Sequence, residues 1–401
     1  MAQEVQPLDD IRVLDLTHYY HGPYATMLLS YLGADITKIE APGFGDGMRA
    51  LFRRQGQPFG YAFGLMNFNK RSITLNLKSD EGKEIFKRLV RKADLVVENF
   101  EAGTMDKLGL GYSVLREVNP MIVYACGTGY GTTGPNRNLP AFDPVVQANT
   151  GIMAITGEID GPPMKSGAAV VDLLGATHLF GAILAALRQR DRTGKGLMVE
   201  TSLQESSLSS LSTHLGAYYG MGIRQLRDGN RAAGGAVSPY NAYRATDGWV
   251  MILAGDNARW RNLCRVMGRP ELGEDPRFVN LSARSKNRHE VDRIVNEWTK
   301  TKTRQEIMDV LAANNVFCGI VKELHEVMTD PHLHERGTLR DVEHPQLGPM
   351  TIFTSPIRIN GKPNEPRSPS PVLGSDNDRF YAEELGYSPE EITRLREQKV
   401  I

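Results

Sequence analysis

The chain of 401 residues carries 47 Lys+Arg against 47 Asp+Glu, so no global basic field exists to draw nucleic acid or acidic lipid. With 41% hydrophobic and 23% charged residues, it has the composition of a globular protein of two domains, or of one large domain with an insertion. Cys126, Cys264 and Cys318 are widely spaced and form no CxxC, which argues against a disulfide framework or a zinc site and fits a reducing cytoplasm.

In chain order, residues 11–17 read as a buried strand. Gly22-Pro23 opens a helix over 24–32, with Pro in its first turn. Residues 34–40 form a second strand. Residues 43–70 mix Gly, Arg and aromatics without a period and read as a long functional loop. A strand follows at 72–77, then a helix from Ser79 to about 92, a strand at 94–98, a helix over 114–119 and a strand at 121–126. This alternation predicts a mostly parallel sheet with helices on both faces. A helix over 173–190, a strand at 197–202 and a Ser/Leu-rich helix over 203–221 complete a first domain, 1–225.

The character changes at the Gly-rich loop Asp228-Gly229-Asn230-Arg231. A hairpin is expected from 240–244 and 249–253. Helices near 257–267, 287–300 and 303–314 and a strand at 316–321 make a smaller α+β domain, 226–330. Residues 331–401 return to strands within 338–360 and end in helices near 376–385 and 388–398. The longest apolar stretches contain Gly, Thr or His and are expected to fall short of a membrane span. Met-Ala-Gln-Glu-Val-Gln at the start is polar, without a signal-peptide core, so a cytoplasmic protein is expected.

Several motifs bear chemistry. Gly129, Gly131 and Gly134 match GxGxxG after a strand, but Pro135 and a polar run follow instead of the helix a dinucleotide needs. A loop of close backbone approach to some ligand fits better. His18 and His21 flank Tyr19-Tyr20 after the first strand, where open α/β sheets bind ligands. With no thiol or carboxylate beside them, they do not read as metal ligands, and no metal is expected. His332 and His334 read as surface residues. Asn69-Lys70-Arg71-Ser72 fits either a solvated turn or a phosphate holder. GxSxG, Walker A and HExxH are absent from the sequence.

Asp172 stands at the mouth of the uncharged run Leu173–Leu187, reached through a Gly/Pro/Ser-rich approach. On spacing alone the favoured reading is a helix cap. The alternative is a carboxylate that a site makes use of, since desolvating an acid there is otherwise costly.

Leu14-Asp15-Leu16-Thr17-His18, Gly22-Pro23, Leu32-Gly33-Ala34-Asp35-Ile36-Thr37-Lys38-Ile39-Glu40, Asn69-Lys70-Arg71-Ser72, Asp94 to Phe100, Gly127 to Gly131, the Asp172 segment, Gly194-Lys195-Gly196 and Asp247-Gly248 occur in one order over nearly the whole chain. In that order the sequence resembles the family III CoA-transferases of the formyl-CoA transferase type. The resemblance implies an α/β fold: a Rossmann-like large domain built from both chain ends, an inserted smaller α+β domain, and an interlocked dimer. The partner is a second copy or a related subunit.

It also implies CoA transfer from an acyl-CoA thioester to a carboxylic acid acceptor, with no tightly bound cofactor. The catalytic aspartate falls on Asp172, acting through an aspartyl anhydride and an aspartyl-CoA thioester. His18, Tyr19, Tyr20, Leu75, Lys78, Asn99, Phe100 and Lys107 fall on CoA-contacting positions. Lys107 stands where the family has arginine, and Ala41-Pro42 where a basic residue often stacks on adenine. Gly234 and Gly235 fall on a glycine lid. The alternative within the fold is an α-methylacyl-CoA racemase, which needs a His where this chain has Phe142 beside Asp143. Arg49, Arg53, Arg54 and Arg71 fit two readings equally: surface arginines, or one of them pairing with a second carboxylate, as in succinate or a substituted succinate.

Overall fold

The computed structural model describes residues 6–224 and 227–401. Their contacts divide into two compact units. The first holds the residues up to Val146, then Ala168–Ser207 and Met328–Ile401; the second holds Gln147–Gly167 and Leu208–Val327. Residues 147–167 and 208–224 therefore group with the smaller unit, not with the first 225 residues as the composition suggested.

The first unit is built on six parallel strands: β1 (Arg12–Asp15), β2 (Asp35–Glu40), β3 (Lys70–Thr74), β4 (Leu95–Glu98), β5 (Val123–Thr128) and β6 (Met198–Ser202). Their order is β3-β2-β1-β4-β5-β6. Both faces of the sheet are covered, so apolar strand residues are buried on both sides. Leu14, Ile39, Ile73, Val96 and Tyr124 join Phe86, Leu89, Phe380, Tyr381 and Leu395 on one side. Val13, Ile36, Val97 and Ala125 join Leu29, Ala176, Leu179 and Ile183 on the other. The strand order reverses between β1 and β4, and such a switch point opens a crevice at the carboxyl ends of the strands.

The helix Val170–Thr193 packs along this sheet and ends at Gly194, whose φ of 66° and N–H to the Arg190 carbonyl close it. By length and composition it is apolar enough to cross a membrane, contrary to the sequence expectation. A core helix of a soluble protein passes the same test, and Ala176, Leu179, Ile183, Ala186 and Leu187 are all in the core. Gly175 is demanded by packing: a Cβ there would stand 2.7 Å from Leu203 Cδ2 and 2.9 Å from His21 Nε2.

The second unit pairs β7 (Tyr240–Ala245), β8 (Gly248–Leu253) and β9 (Phe317–Ile320) antiparallel, so the expected hairpin carries a third strand. Helices Asn257–Val266, Arg288–Thr299 and Arg304–Ala313 cover it around Trp260, Val291 and Ile307. Two other expectations are corrected. The segment 43–70 contains a helix, Tyr61–Met66, with Phe63 and Met66 in a small core beside Met48 and Phe59. The segment 203–221 is no single helix: Leu203–Leu208 gives way to a 3₁₀ turn, the short helix Ser212–Leu215 and a π-helical turn at Gly216–Gly220.

Candidate functional site

The site grows from a buried charge network under β1. Asp15 accepts from Thr17 N at 2.9 Å, Thr26 Oγ1 at 2.7 Å and Lys70 Nζ at 3.1 Å. Burial alone would raise this carboxyl, but Lys70, Lys38 and the Thr17 bonds win and bring it down to about 2. Lys38 reaches Asp46 Oδ2 at 3.1 Å. Asp46 Oδ1 in turn accepts from Tyr19 N at 3.1 Å and Met48 N at 2.9 Å. Lys70 is thus a buried ion-pair partner, neither a solvated turn residue nor a phosphate holder.

These bonds fix residues 17–20 at the switch point, with Tyr19 held at a φ of 61°, uncommon for a residue with a side chain. Across the crevice, the Asn99 amide clasps the His18 backbone twice: Oδ1 accepts from His18 N at 2.7 Å, and Nδ2 donates to His18 O at 2.9 Å. The His18 and Phe100 rings stand 5.6 Å apart.

Beside this loop lies a cavity of about 700 Å³, lined by His18, Leu75, Lys78 and Phe100 together with Pro42 and Leu108. Four of the residues singled out in the sequence therefore share one apolar pocket. Lys107 does not join them. It opens into a different, polar cavity of about 760 Å³ with Glu98, Asp106 and Arg137, while Thr104 and Leu108 of the same segment face the first.

Asp172 lies in the first turn of the helix Val170–Thr193 and is not its cap. The cap is supplied by Asp143, whose Oδ2 accepts from Val171 N at 2.9 Å and Asp172 N at 3.2 Å. The Asp172 carboxyl is thereby spared from holding its own helix. Burial first, and the Asp143 charge second, push it up to about 7, against the usual preference for an anion near a helix N-terminus. Tyr20 is a close neighbour: burial and then the Asp172 charge raise its phenol. Tyr19 meets Phe142 edge-on at 5.6 Å.

The same geometry yields a test. Asp143→Asn removes the charge facing Asp172 and keeps an oxygen for the helix N–H groups. The Asp172 titration should move below 7, measured by carboxyl NMR or by the acidic limb of the rate profile. An unmoved titration would mean that burial alone sets it.

The remaining sequence candidates separate cleanly. Arg49 makes a two-pronged pair with Glu40 at 2.8 and 2.6 Å and stacks on Phe63, and Arg71 pairs with Asp35 at 2.6 Å, so neither is spare for a substrate. Arg53 and Arg54 are exposed on the rim of another cavity of the first unit, with Gln55, Gln57 and Gln346. The glycines at 127 and 129 admit protein, not ligand: a Cβ would come within 2.6 Å of the His21 ring and 2.1 Å of Ala141. His21 is fully buried there, and burial takes it down to about 4, so it stays neutral near pH 7. Gly234 and Gly235 lie in the second unit at φ of 64° and 66°, with side chains of Ile223 and Arg288 close by. Among the described residues, no group of His, Cys, Asp or Glu is arranged to hold a metal ion.

Asp143 escaped sequence reasoning as a cap because it lies 28 residues from Val171. Its signal was the Asp143-Pro144 pair, an acid followed by proline at a helix start.

Comparison with known proteins agrees with this geometry. A family model described as CoA-transferase family III matches residues 8–377. Formyl-CoA:oxalate CoA-transferase of Streptomyces coelicolor is 37% identical over 98% of this chain and 99% of its own length. Succinyl-CoA:mesaconate CoA-transferase of Haloarcula hispanica is 40% identical over 91% of this chain and 93% of its own. The crystal structure of a CAIB/BAIF family protein from Brucella suis superposes with a TM-score of 0.84 at 32% identity, covering 95% of this chain and 100% of that one. The parallel sheet, the switch-point pocket and the match over nearly the full length lead to one conclusion: this chain belongs to CoA-transferase family III.

Proposed function

We propose that the protein moves CoA from an acyl-CoA to a dicarboxylic acid, with Asp172 as the group that carries it. The observation behind this reading is the division of labour between two acids: Asp143 holds the helix N–H groups, leaving the Asp172 carboxyl free. An Asp172 oxygen attacks the thioester carbonyl, and the C–S bond breaks to release CoA thiolate. The thiolate attacks the aspartyl carbonyl of the resulting anhydride and expels the first acid as its carboxylate. The acceptor carboxylate then attacks the aspartyl thioester and expels thiolate again. Attack of that thiolate on the acceptor's acyl carbon forms the new acyl-CoA and restores Asp172. The anhydride supplies the activation that a bare carboxylate lacks.

His18, Tyr19, Tyr20, Leu75, Lys78, Asn99 and Phe100 would hold the CoA chain along the switch-point crevice. A pocket of about 700 Å³ with mainly apolar walls suits part of such a ligand. Acceptors named for the two relatives, oxalate and mesaconate, are both dicarboxylates, and Arg53 and Arg54 are the uncommitted arginines to test for the distal carboxylate. We take the working form to be an interlocked dimer of a Rossmann-like domain and an inserted domain, with Gly234-Gly235 as its lid. We place it in the cytoplasm, where acyl-CoA and three free thiols belong.

The test is to mix the protein with succinyl-CoA or formyl-CoA, add hydroxylamine, and locate the modification by mass spectrometry. A hydroxamate on Asp172 is expected, with CoA transfer to dicarboxylates exceeding that to monocarboxylates. Deuterium entering the α-carbon of a 2-methylacyl-CoA without CoA exchange would instead indicate racemisation, for which Phe142 offers no exchangeable proton.

A further inference from the structure

Two cations line the 700 Å³ cavity, Lys78 and Lys399, and neither ammonium meets a carboxylate among the described residues. The carboxylate on the same wall, Glu40, is already taken by Arg49. Lys78 follows β3, whereas Lys399 comes from the far end of the chain, after the helix Pro389–Glu397.

One side chain ties them together. Asn76 Oδ1 accepts from Lys78 N at 3.1 Å, and its Nδ2 donates to Lys399 O at 3.4 Å. The Asn76 backbone N–H adds a bond to Val400 O at 2.8 Å. Lys399 stands just past the C-cap of the helix Pro389–Glu397 at a φ of 55°, the left-handed turn that ends a helix, with Val400 N bonded back to Leu395 O at 2.8 Å. Val400 and Ile401 are buried behind it in the same core as Leu75. The chain is thus anchored on both sides of an exposed lysine at the mouth of the pocket.

Resting on the CoA reading of this cavity, we propose that Lys399 is a binding residue for the 3′-phosphate of CoA, acting with Lys78 as a two-lysine clamp. Exposed ammonium groups at the rim suit a dianionic, still-hydrated phosphate at the end of the ligand, because neither partner is fully stripped of water. The clamp also supplies cationic charge at the pocket whose wall carries Ala41-Pro42 and into which Lys107 does not open.

The experiment titrates CoA and 3′-dephospho-CoA into the wild type, Lys399→Ala, Lys399→Asn and Lys399→Arg by calorimetry, with KM for the corresponding thioesters alongside. Asn tolerates the left-handed backbone, so the Asn variant separates loss of charge from loss of conformation. Lys399→Ala and Lys399→Asn should weaken CoA about three- to tenfold and leave dephospho-CoA within about twofold, with kcat unchanged and Arg restoring most of the loss. Equal weakening of both ligands, or of neither, would overturn the assignment. Failure of the wild type to bind either form would overturn the CoA reading of the cavity itself.

Discussion

Asp172→Asn should be the least active variant of this protein and, above neutral pH, a more stable one than the wild type. The activity arm follows from the proposed chemistry. Removing a covalent nucleophile typically costs about 10⁴-fold or more in turnover, and a carboxamide cannot form the anhydride. The stability arm follows from burial beside Asp143, which raises the Asp172 carboxyl from 3.8 to about 7. Between those two values the folded protein keeps a proton that the unfolded chain releases. The favourable contribution is therefore complete below pH 3.8 and is lost as pH rises through about 7. At pH 8 the wild type carries the full penalty of a buried, repelled anion, at most about 4 kcal/mol at 1.36 kcal/mol per unit. The Asn variant does not. Urea or thermal unfolding at pH 8 should show Asp172→Asn the more resistant, with the gap closing towards pH 4. A gap independent of pH would remove the charge from the explanation. Full transfer activity in a folded Asp172→Asn protein would end the proposed mechanism.

The same residue shows how far sequence carries. The six strands of the parallel sheet were legible as short runs punctuated by turn residues and alternating with helices, but their order in the sheet, β3-β2-β1-β4-β5-β6, was not, because nothing local in a strand names its neighbour. Asp172 was legible as unusual because an acid opens a long uncharged run. Its cap was not, because the capping oxygen comes from Asp143, 28 residues upstream of Val171, and a cap supplied from elsewhere in the chain leaves no local spacing to read. Lys70, Arg49 and Arg71 look alike in sequence to any surface cation. Only the fold shows that each faces a carboxylate: Asp15, Glu40 and Asp35. The helix Tyr61–Met66 was missed for a related reason: at six residues it shows too little period to be recognised, and it is stabilised by Phe63 and Met66 entering a core that includes Met48 and Phe59. Lys399 gave no local sign in sequence, since its partner Asn76 is 323 residues away.

That charge network makes a second large prediction. Lys70→Met should destabilise the folded protein by about 3 kcal/mol or more, although it touches no substrate. Lys70 Nζ is buried and bonded to Asp15 Oδ2 at 3.1 Å, Pro23 O at 3.1 Å and Thr26 Oγ1 at 2.8 Å. A methionine fills the volume but leaves the fully buried Asp15 with one ammonium fewer, facing Lys38 alone. Burial then weighs more heavily against the Asp15 anion, and its titration should rise from about 2 towards the ordinary range. Asp15 in turn holds Thr17, and through it the loop that carries His18, Tyr19 and Tyr20 into the crevice. Stability and CoA affinity should therefore fall together: a lower denaturation midpoint near neutral pH, a raised KM for the thioester, and a shallower dependence of stability on pH below 4, because an Asp15 carboxyl that titrates alike in the folded and unfolded chain no longer links the two. The double variant Asp15→Asn/Lys70→Met removes the stranded charge and should recover a substantial part of the stability, which a simple packing defect at Lys70 would not permit. If the double variant is as unstable as the sum of the single ones, the pair is a filler of space, and its charges do not hold the crevice in shape.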